Sequence, residues 1–107
     1  MSIFVREYLD PFGRSPYAHW FQRLPAPAAA KVATALYRLE LGNFSNVEGV
    51  GAGVYEYKID FGPGYRIYFG REGKSLIVLL GGSSKKGQQI AIAAAKKAWE
   101  NYKRTKP

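Results

Sequence analysis

Three side chains at even-numbered positions of two neighbouring segments, Lys58, Arg66 and Tyr68, combine two cations with a phenol. Glu56 and Asp60 share this pattern, whereas apolar or aromatic residues occupy the odd-numbered positions. Cleavage of an RNA phosphodiester needs only a positioned 2′-hydroxyl, cations around the developing phosphorane charge, and proton donors and acceptors. A lysine crowded by other cations can have its pKa lowered enough to act as a base, and tyrosine or arginine can act as the acid or stabilise charge. These three residues are the candidate catalytic set.

The residue inventory excludes other common chemistries. The chain has no cysteine, which rules out thiolate nucleophiles, disulfides and Cys-ligated metal centres. Its single histidine, His19, has no acidic cluster beside it, and Ser83 and Ser84 lack a base with an orienting partner. The glycine-rich GVGAG and GPG segments lack the lysine and helix start of a phosphate-binding loop. We therefore expect no metal and no cofactor, so catalysis must come from lysine, arginine and tyrosine.

Positive charge is concentrated in the second half of the 107-residue chain. Of the formal net charge of +8, residues 54–107 carry +7, from eleven basic and four acidic side chains. Part of it lies in the turn Lys85-Lys86 that precedes the last helix. Such an asymmetry attracts a polyanion, so nucleic acid or an acidic protein is the expected partner. A solubilising surface is the alternative, because a basic composition says nothing about fold.

The first half of the chain predicts a short strand at Ile3–Leu9 followed by a helical hairpin. Ser15 is a candidate N-cap with Pro16 at the first helical position, and apolar residues then recur at i, i+3, i+4 and i+7. Prolines separate this helix from a second one, which runs to Leu41 and ends at Gly42. The predicted buried side of the second helix consists of Ala29, Val32, Ala33, Leu36 and Leu39.

After a predicted loop at Asn43–Gly53 the helical periodicity gives way to strands. Val54–Phe61 and Tyr65–Phe69 alternate between apolar and polar residues, as half-buried strands do. Leu76–Leu80 is an unbroken apolar run, typical of a central strand covered on both faces. The last segment can cover one face, because an apolar stripe repeats there at helical spacing while its basic residues stay in solvent. That stripe consists of Ile92, Ala95, Trp99 and Tyr102.

The two alternating strands also predict a register. If Phe61 faces Tyr65 across a three-residue loop, all the odd-numbered apolar residues share one face of the sheet. The same pairing places Asp60 opposite Arg66. It also places Lys58 opposite Tyr68.

These elements give an α+β fold of order β-α-α-β-β-β-α, with a mainly antiparallel sheet, a helical hairpin and a C-terminal helix. At this length a single domain covering 1–107 is expected. Without cysteines, a signal-peptide pattern or a long apolar run, we expect a cytoplasmic protein with no membrane partner.

Several sequence segments resemble one known family. They are LELGNF at 39–44, GVYEYKIDFGPGYRIYF at 53–69, IVLLGG at 77–82, KKGQQ at 85–89 and REYLDPFGRSPYAHW at 6–20. In this order they are similar to the HigB-like addiction-module killer proteins. These are phage-derived toxins of the RelE/ParE superfamily of type II toxin–antitoxin systems, and the resemblance spans nearly the whole chain.

This resemblance implies a compact toxin that enters the ribosomal A site and cuts mRNA as a metal-independent endoribonuclease. It implies a toxin–antitoxin hetero-oligomer with a cognate antitoxin, often of the helix-turn-helix type. Lys58 and Arg66 match positions where ribosome-dependent members hold catalytic or phosphate-binding cations, and Tyr68 is the candidate acid. The residues expected to bind RNA are Arg71, Lys85, Lys86 and Gln88.

The chain departs from the family pattern near its last helix. Members often carry an acidic residue before the helix isoleucine, whereas Ala91 precedes Ile92 here, and no tyrosine or histidine lies between Lys85 and Lys97. Either Tyr68 is the acid, or electrostatics and substrate positioning suffice, or activity is weak. Two alternatives to the nuclease stay open, namely a gyrase-inhibiting ParE-like toxin without nuclease chemistry and an inactive RNA-binding phage remnant.

Overall fold

A computed structural model describes residues 3–106 of the chain. The elements, in chain order, are β1 (Phe4–Glu7), α1 (Pro16–Phe21), α2 (Ala26–Glu40), β2 (Val47–Gly51), β3 (Val54–Ile59), β4 (Tyr65–Glu72), β5 (Leu76–Ser84), a 3₁₀ turn (Lys85–Gly87) and α3 (Gln88–Thr105). The five strands form one sheet in the order β1-β5-β4-β3-β2. Only the β1–β5 pair is parallel, which confirms the predicted α+β class with a mainly antiparallel sheet.

The predicted helical hairpin is formed by α1 and α2. The Ser15 hydroxyl caps α1 by accepting the Ala18 N–H at 3.0 Å, and Gly42, with φ +83°, follows the end of α2. One expected buried residue was wrong, because Ala33 is exposed. The buried residues of α2 recur at intervals of four, three and four positions and so form one stripe along the helix. Ala33 immediately follows a residue of this stripe, and its side chain is therefore turned away from the core. The stripe consists of Ala28, Val32, Ala35 and Leu39.

Two apolar cores lie on opposite faces of the sheet, and β5 contributes to both. Ile77 and Leu79 pack with the helical hairpin, whereas Val78 and Leu80 pack with α3. This arrangement confirms a strand covered on both faces and a C-terminal helix that supplies one cover. Within the described residues, no helix is long and apolar enough to cross a membrane.

The segment predicted as a loop at Asn43–Gly53 contains an additional strand. Val47–Gly51 pairs antiparallel with β3 and forms one edge of the sheet, with an irregularity between Gly49 and Gly51. Two of its five residues are glycine and one is glutamate, so local propensity does not indicate a strand. The strand exists because β3 offers it a hydrogen-bonding partner, which only the assembled sheet provides.

The predicted register between β3 and β4 was wrong by two residues. Lys58 pairs with Arg66 and Ile59 with Tyr65, so the connecting loop has five residues, 60–64. Gly64, with φ +77°, donates its N–H to the Phe61 carbonyl at 2.9 Å, and its own carbonyl accepts the Lys85 N–H at 2.7 Å. Because side-chain direction in a strand has a period of two, this shift leaves every residue on its predicted face. Odd-numbered residues of both strands accordingly pack with the hairpin.

Candidate functional site

The candidate site is a group of polar side chains on the face of the sheet that α3 covers. We call it the polar cluster; it consists of Glu48, Glu56, Lys58, Arg66, Tyr68, Ser83 and Gln88. Strand pairing brings its members together, since Glu56 pairs with Tyr68, Lys58 with Arg66, and Arg66 with Ser83. Gln88 is the first residue of α3 and reaches the same place. The even-numbered candidates therefore do gather at one end of the sheet.

Glu56 is the centre of the polar cluster, and only 3% of its side chain is exposed. Its Oε1 atom lies 3.4 Å from Arg66 Nε and accepts a hydrogen bond from Gln88 Nε2 at 3.2 Å. Its Oε2 atom lies 3.9 Å from Lys58 Nζ. A buried carboxylate is stable only when cations and donors replace its water, and these three side chains do so. Glu56 consequently holds Arg66 in place and attracts Lys58 from a longer distance.

Arg66 is the more enclosed of the two cations, with 12% of its side chain exposed. Within residues 3–106, its Nε atom is the only buried side-chain polar atom without a hydrogen bond. Unpaired buried donors are rare in native proteins, and each calls for an explanation. The explanation is that Nε faces Glu56 Oε1 at 3.4 Å as an ion pair without hydrogen-bond geometry. Because Nε is buried, a bound anion reaches Arg66 through the exposed part of its side chain.

Lys58 is the exposed cation of the cluster, with 48% of its side chain accessible. Its Nζ atom lies 2.8 Å from Glu48 Oε1 on the neighbouring edge strand. The hydrogen bond that Lys58 donates to Glu48, and then the charge of Glu48, raise the pKa of Lys58, and the opposing effect of Arg66 is smaller. The expectation that neighbouring cations lower the pKa of Lys58 was therefore wrong. The side chain is a persistent cation, which suits contact with a phosphate and not proton abstraction.

Tyr68 is a fully buried member of the polar cluster. Its hydroxyl is 3.0 Å from the Ser83 hydroxyl, and burial raises the pKa of the phenol. A general acid has to contact the oxygen that it protonates. The buried hydroxyl of Tyr68 does not present itself to a bound RNA chain, so this placement argues against the acid role.

The basic turn lies at the same end of the sheet as Arg66. Lys85 and Lys86 are both exposed in the 3₁₀ turn, and the Lys85 backbone is bonded to Gly64 in the β3–β4 loop. The amide of Gln88, in contrast, is engaged by Glu56. The two lysines are thus available for an anion next to the cluster, whereas Gln88 supports the cluster from within.

Arg71 is separated from the other candidates. It occupies the hairpin-side face of β4, where its guanidinium carbon lies 4.4 Å from the centroid of the Phe44 ring. It is also five positions along the strand from Arg66, at the other end. The structure therefore does not bring Arg71 to the polar cluster.

Two acidic residues of the cluster were not assigned a role from sequence. Glu56 was grouped with the polar face, but the shifted register pointed to Asp60 as the partner of Arg66. With the observed register Glu56 lies on the same face two residues from Lys58, within reach of both cations. Glu48 lies in the strand that was taken as a loop. Within residues 3–106, no three His, Asp or Glu side chains are grouped closely enough to hold a metal ion.

Comparison with known proteins gives two matches. Residues 19–103 match the family model described as "Phage derived protein Gp49-like". A Haemophilus influenzae protein described as uncharacterized is 37% identical over 78 residues, which cover 72% of this chain and 79% of that protein. The family match includes every residue of the polar cluster. The match to the Haemophilus influenzae protein covers most of the chain.

Proposed function

This chain belongs to the phage-derived Gp49-like proteins, a family of the RelE/ParE-like toxin superfamily, and on that premise we propose that it is the toxin of a type II toxin–antitoxin system. The toxin cuts messenger RNA on the ribosome and needs no metal ion. Its expected partners are the ribosome with its mRNA and a cognate antitoxin of the helix-turn-helix type. Because this activity takes place on ribosomes, the proposed location of the protein is the cytoplasm.

The observation that carries the proposal is the pair of cations around Glu56. Lys58 and Arg66 project from directly paired positions of two strands, and the buried carboxylate of Glu56 lies within 4.0 Å of both cations. Cations held by a rigid sheet need little reorganisation when charge develops on a substrate, which is the main source of electrostatic catalysis. The charges of Glu48 and Glu56 balance those of Lys58 and Arg66, so Lys85 and Lys86 supply the excess positive charge at the same end of the sheet.

The reaction follows from these groups. The 2′-oxygen of the RNA attacks the adjacent phosphorus, the bond from phosphorus to the 5′-oxygen breaks, and the products are a 2′,3′-cyclic phosphate and a 5′-hydroxyl. Water accepts the proton of the 2′-hydroxyl and water protonates the leaving oxygen. Arg66 and Lys58 stabilise the negative charge on the phosphorane oxygens, and the ribosome-bound mRNA supplies the geometry for in-line attack.

The remaining candidates have supporting roles in this proposal. Glu56 is a positioning residue for both cations, and Gln88 orients Glu56. Tyr68 and Ser83 are buried and hydrogen-bonded to each other, and Ser83 is the strand partner of Arg66. The sequence left three possibilities open: Tyr68 as the acid, catalysis by electrostatics and substrate positioning, or weak activity. The second of these fits the arrangement best.

Mapping of translated mRNAs after induction of the protein tests the function. We expect primer extension to show new 5′ ends inside coding regions, and only in mRNAs that are being translated. Growth arrest with DNA damage and intact mRNAs would instead identify a gyrase-inhibiting toxin. Strong expression without any effect on growth would identify an inactive phage remnant.

Substitution of Lys58 distinguishes a charge role from a base role. Because Glu48 raises its pKa, Lys58 stays protonated at neutral pH, and we expect Lys58→Arg to retain cleavage within about threefold while Lys58→Gln loses about tenfold or more. The measurement is the cleavage rate of ribosome-bound mRNA in a purified translation system. Arginine cannot act as a base, so a Lys58→Arg variant as inactive as Lys58→Gln would contradict the charge role.

A further inference from the structure

A second basic concavity lies on the opposite side of Lys58 from the polar cluster, between helix α2 and strand β3. We call it the α2–β3 cleft; its volume is about 270 Å³. Its polar and aromatic lining includes Lys31, Thr34, Arg38, Asn46, Lys58 and Phe61. Apart from Lys58, none of these residues belongs to the site described above.

Helix α2 presents its two cations to the cleft from one face. Lys31, Thr34 and Arg38 are spaced at i, i+3 and i+7, which places them in one row along the helix. Lys31 and Arg38 are exposed, and within residues 3–106 neither has a carboxylate within 4.0 Å. Asp60 is the only acidic residue in the lining, against three cations. A concave surface with this excess of positive charge concentrates anions.

Phe61 adds an aromatic surface to the cleft. Its ring is only partly buried, and Lys31 Nζ lies 5.3 Å from the ring centroid. Cations that follow a groove, together with an aromatic ring that can stack on a base, are the usual means of binding single-stranded nucleic acid. Asn46, whose amide can both donate and accept hydrogen bonds, lines the same space.

The cleft lies on the helical-hairpin face of the sheet and the polar cluster on the α3 face, and Lys58 borders both. This lysine lines the cleft and lies 3.9 Å from Glu56 of the cluster. An RNA strand that reaches both sites therefore has to pass round the end of the sheet beside Lys58, which is the next-to-last residue of β3.

We propose that the α2–β3 cleft is a second RNA-binding site, which holds an unpaired nucleotide adjacent to the phosphate at the polar cluster. Lys31 and Arg38 bind the backbone phosphates, and Phe61 stacks on the base. Its adjacency to a cleaved phosphate rests on the proposed function, whereas RNA binding by the cleft can be measured without any cleavage.

The test compares two double variants that remove the same charges from different surfaces. One is Lys31→Ala/Arg38→Ala in the cleft, and the control is Lys74→Ala/Arg23→Ala, at exposed positions outside it. The probe is a short, fluorescent single-stranded RNA with 2′-O-methyl groups, which cannot be cleaved. Anisotropy over a range of salt concentrations gives Kd and its salt dependence. All four positions are exposed, and thermal melts verify that both variants are folded.

We expect the cleft variant to bind the probe about tenfold or more weakly, and the slope of log K against log salt to fall by about 1.4, as the loss of two phosphate contacts to a single strand predicts. The control variant should stay within about twofold of the unmodified protein, because its cations contact no RNA. Equal weakening by the two variants would show a general effect of charge and would overturn the proposal that the cleft binds RNA.

Substitution of the aromatic ring tests the stacking part separately. Phe61→Leu should weaken binding about fivefold or more, whereas Phe12→Leu, at an exposed ring remote in sequence from the cleft, should leave Kd unchanged. An equal Kd for Phe61→Leu and the unmodified protein would refute stacking on this ring.

An oligoglutamate peptide serves as the protein-like competitor. If the peptide binds as tightly as the RNA and depends equally on Lys31 and Arg38, the cleft is a site for an acidic protein and the RNA proposal fails. The result is independent of catalysis. If the protein binds the RNA probe through the cleft but does not cleave mRNA, the proposed function is rejected and the cleft proposal is retained. If it cleaves mRNA but its binding of the probe does not depend on the cleft, the cleft proposal alone is rejected.

Discussion

Replacement of Arg66 by alanine is expected to lower the rate of mRNA cleavage by about 10²–10³-fold, the usual cost of removing one preorganised charge-stabilising donor. The reason is the position of the guanidinium, whose Nε lies 3.4 Å from the buried Glu56 carboxylate, at the strand position paired with Lys58. At this loss, induction of the variant should no longer arrest growth. Cleavage of ribosome-bound mRNA in a purified translation system gives the rate, and growth curves give the physiological effect.

The controls for Arg66 separate chemistry from folding. Arg66→Ala removes a partner of the buried Glu56, and breaking a buried ion pair by removing one partner costs about 3–5 kcal/mol. The double variant Glu56→Gln/Arg66→Ala removes both charges and avoids this penalty. Arg14→Ala, in an exposed turn before α1, is a matched loss of arginine outside the site. A folded double variant that still cuts mRNA and binds the antitoxin at the unmodified level would disprove the role of Arg66.

The second large effect concerns stability and arises at Gly70. A Cβ atom at this position would lie 2.5–2.6 Å from three ring atoms of Trp99, closer than carbon atoms approach. Trp99 cannot readily move, because it is 6% exposed and stacks on Tyr102 with ring centroids 5.3 Å apart. We therefore expect Gly70→Ala to lower the free energy of unfolding by about 3 kcal/mol, which corresponds to a decrease in Tm of about 10 °C or more.

Gly49→Ala is the matched control for this prediction. Gly49 also lies in a strand, but a Cβ atom there would make ordinary contacts at 3.9 Å with the Tyr55 ring. Its substitution should change the unfolding free energy by no more than about 0.5 kcal/mol. Chemical denaturation of both variants provides the measurement. Equal stability of the two variants would mean that Trp99 does not pack directly on the backbone of β4.

The two tryptophans explain why this sheet can be covered on both faces. Trp99 lies over Gly70 on the α3 side, and Trp20 lies over Gly82 on the hairpin side, where a Cβ atom would come within 2.3–2.5 Å of its ring. Each glycine leaves room for an indole against the strand backbone. The polar cluster is next to this packing, since Ser83 follows Gly82 and Tyr68 lies two residues from Gly70. Rigid packing below the cluster therefore supports the fixed positions of its cations.

Local patterns in the sequence were sufficient to predict which face of each strand is polar and which is apolar. The even-numbered positions of the two strands are polar, and the structure places Glu56, Lys58 and Arg66 together on one face. The apolar stripes of the helices and the run at Leu76–Leu80 likewise predicted which elements the sheet would carry. These features depend on residue periodicity along one segment, which the chain sequence contains in full.

Interactions between segments could not be predicted in the same way. The offset of β3 against β4 depends on a five-residue loop that is anchored to the turn after β5, and an error of two residues preserves every face. That error concealed the contact of Glu56 with Arg66. The strand at Val47–Gly51 forms only against β3, so Glu48 and its effect on the pKa of Lys58 were equally hidden.

The sequence by itself determined the fold class, the polar face and the residues from which any catalysis must come, because composition and periodicity are properties of single segments. Only the tertiary structure decided which of those residues meet. It buried Tyr68, placed Arg71 on the opposite face and made Lys58 a persistent cation beside a second basic cleft. The physical reason is that contacts between distant segments, and the electrostatic environment that they create, exist only after the strands have paired in one register.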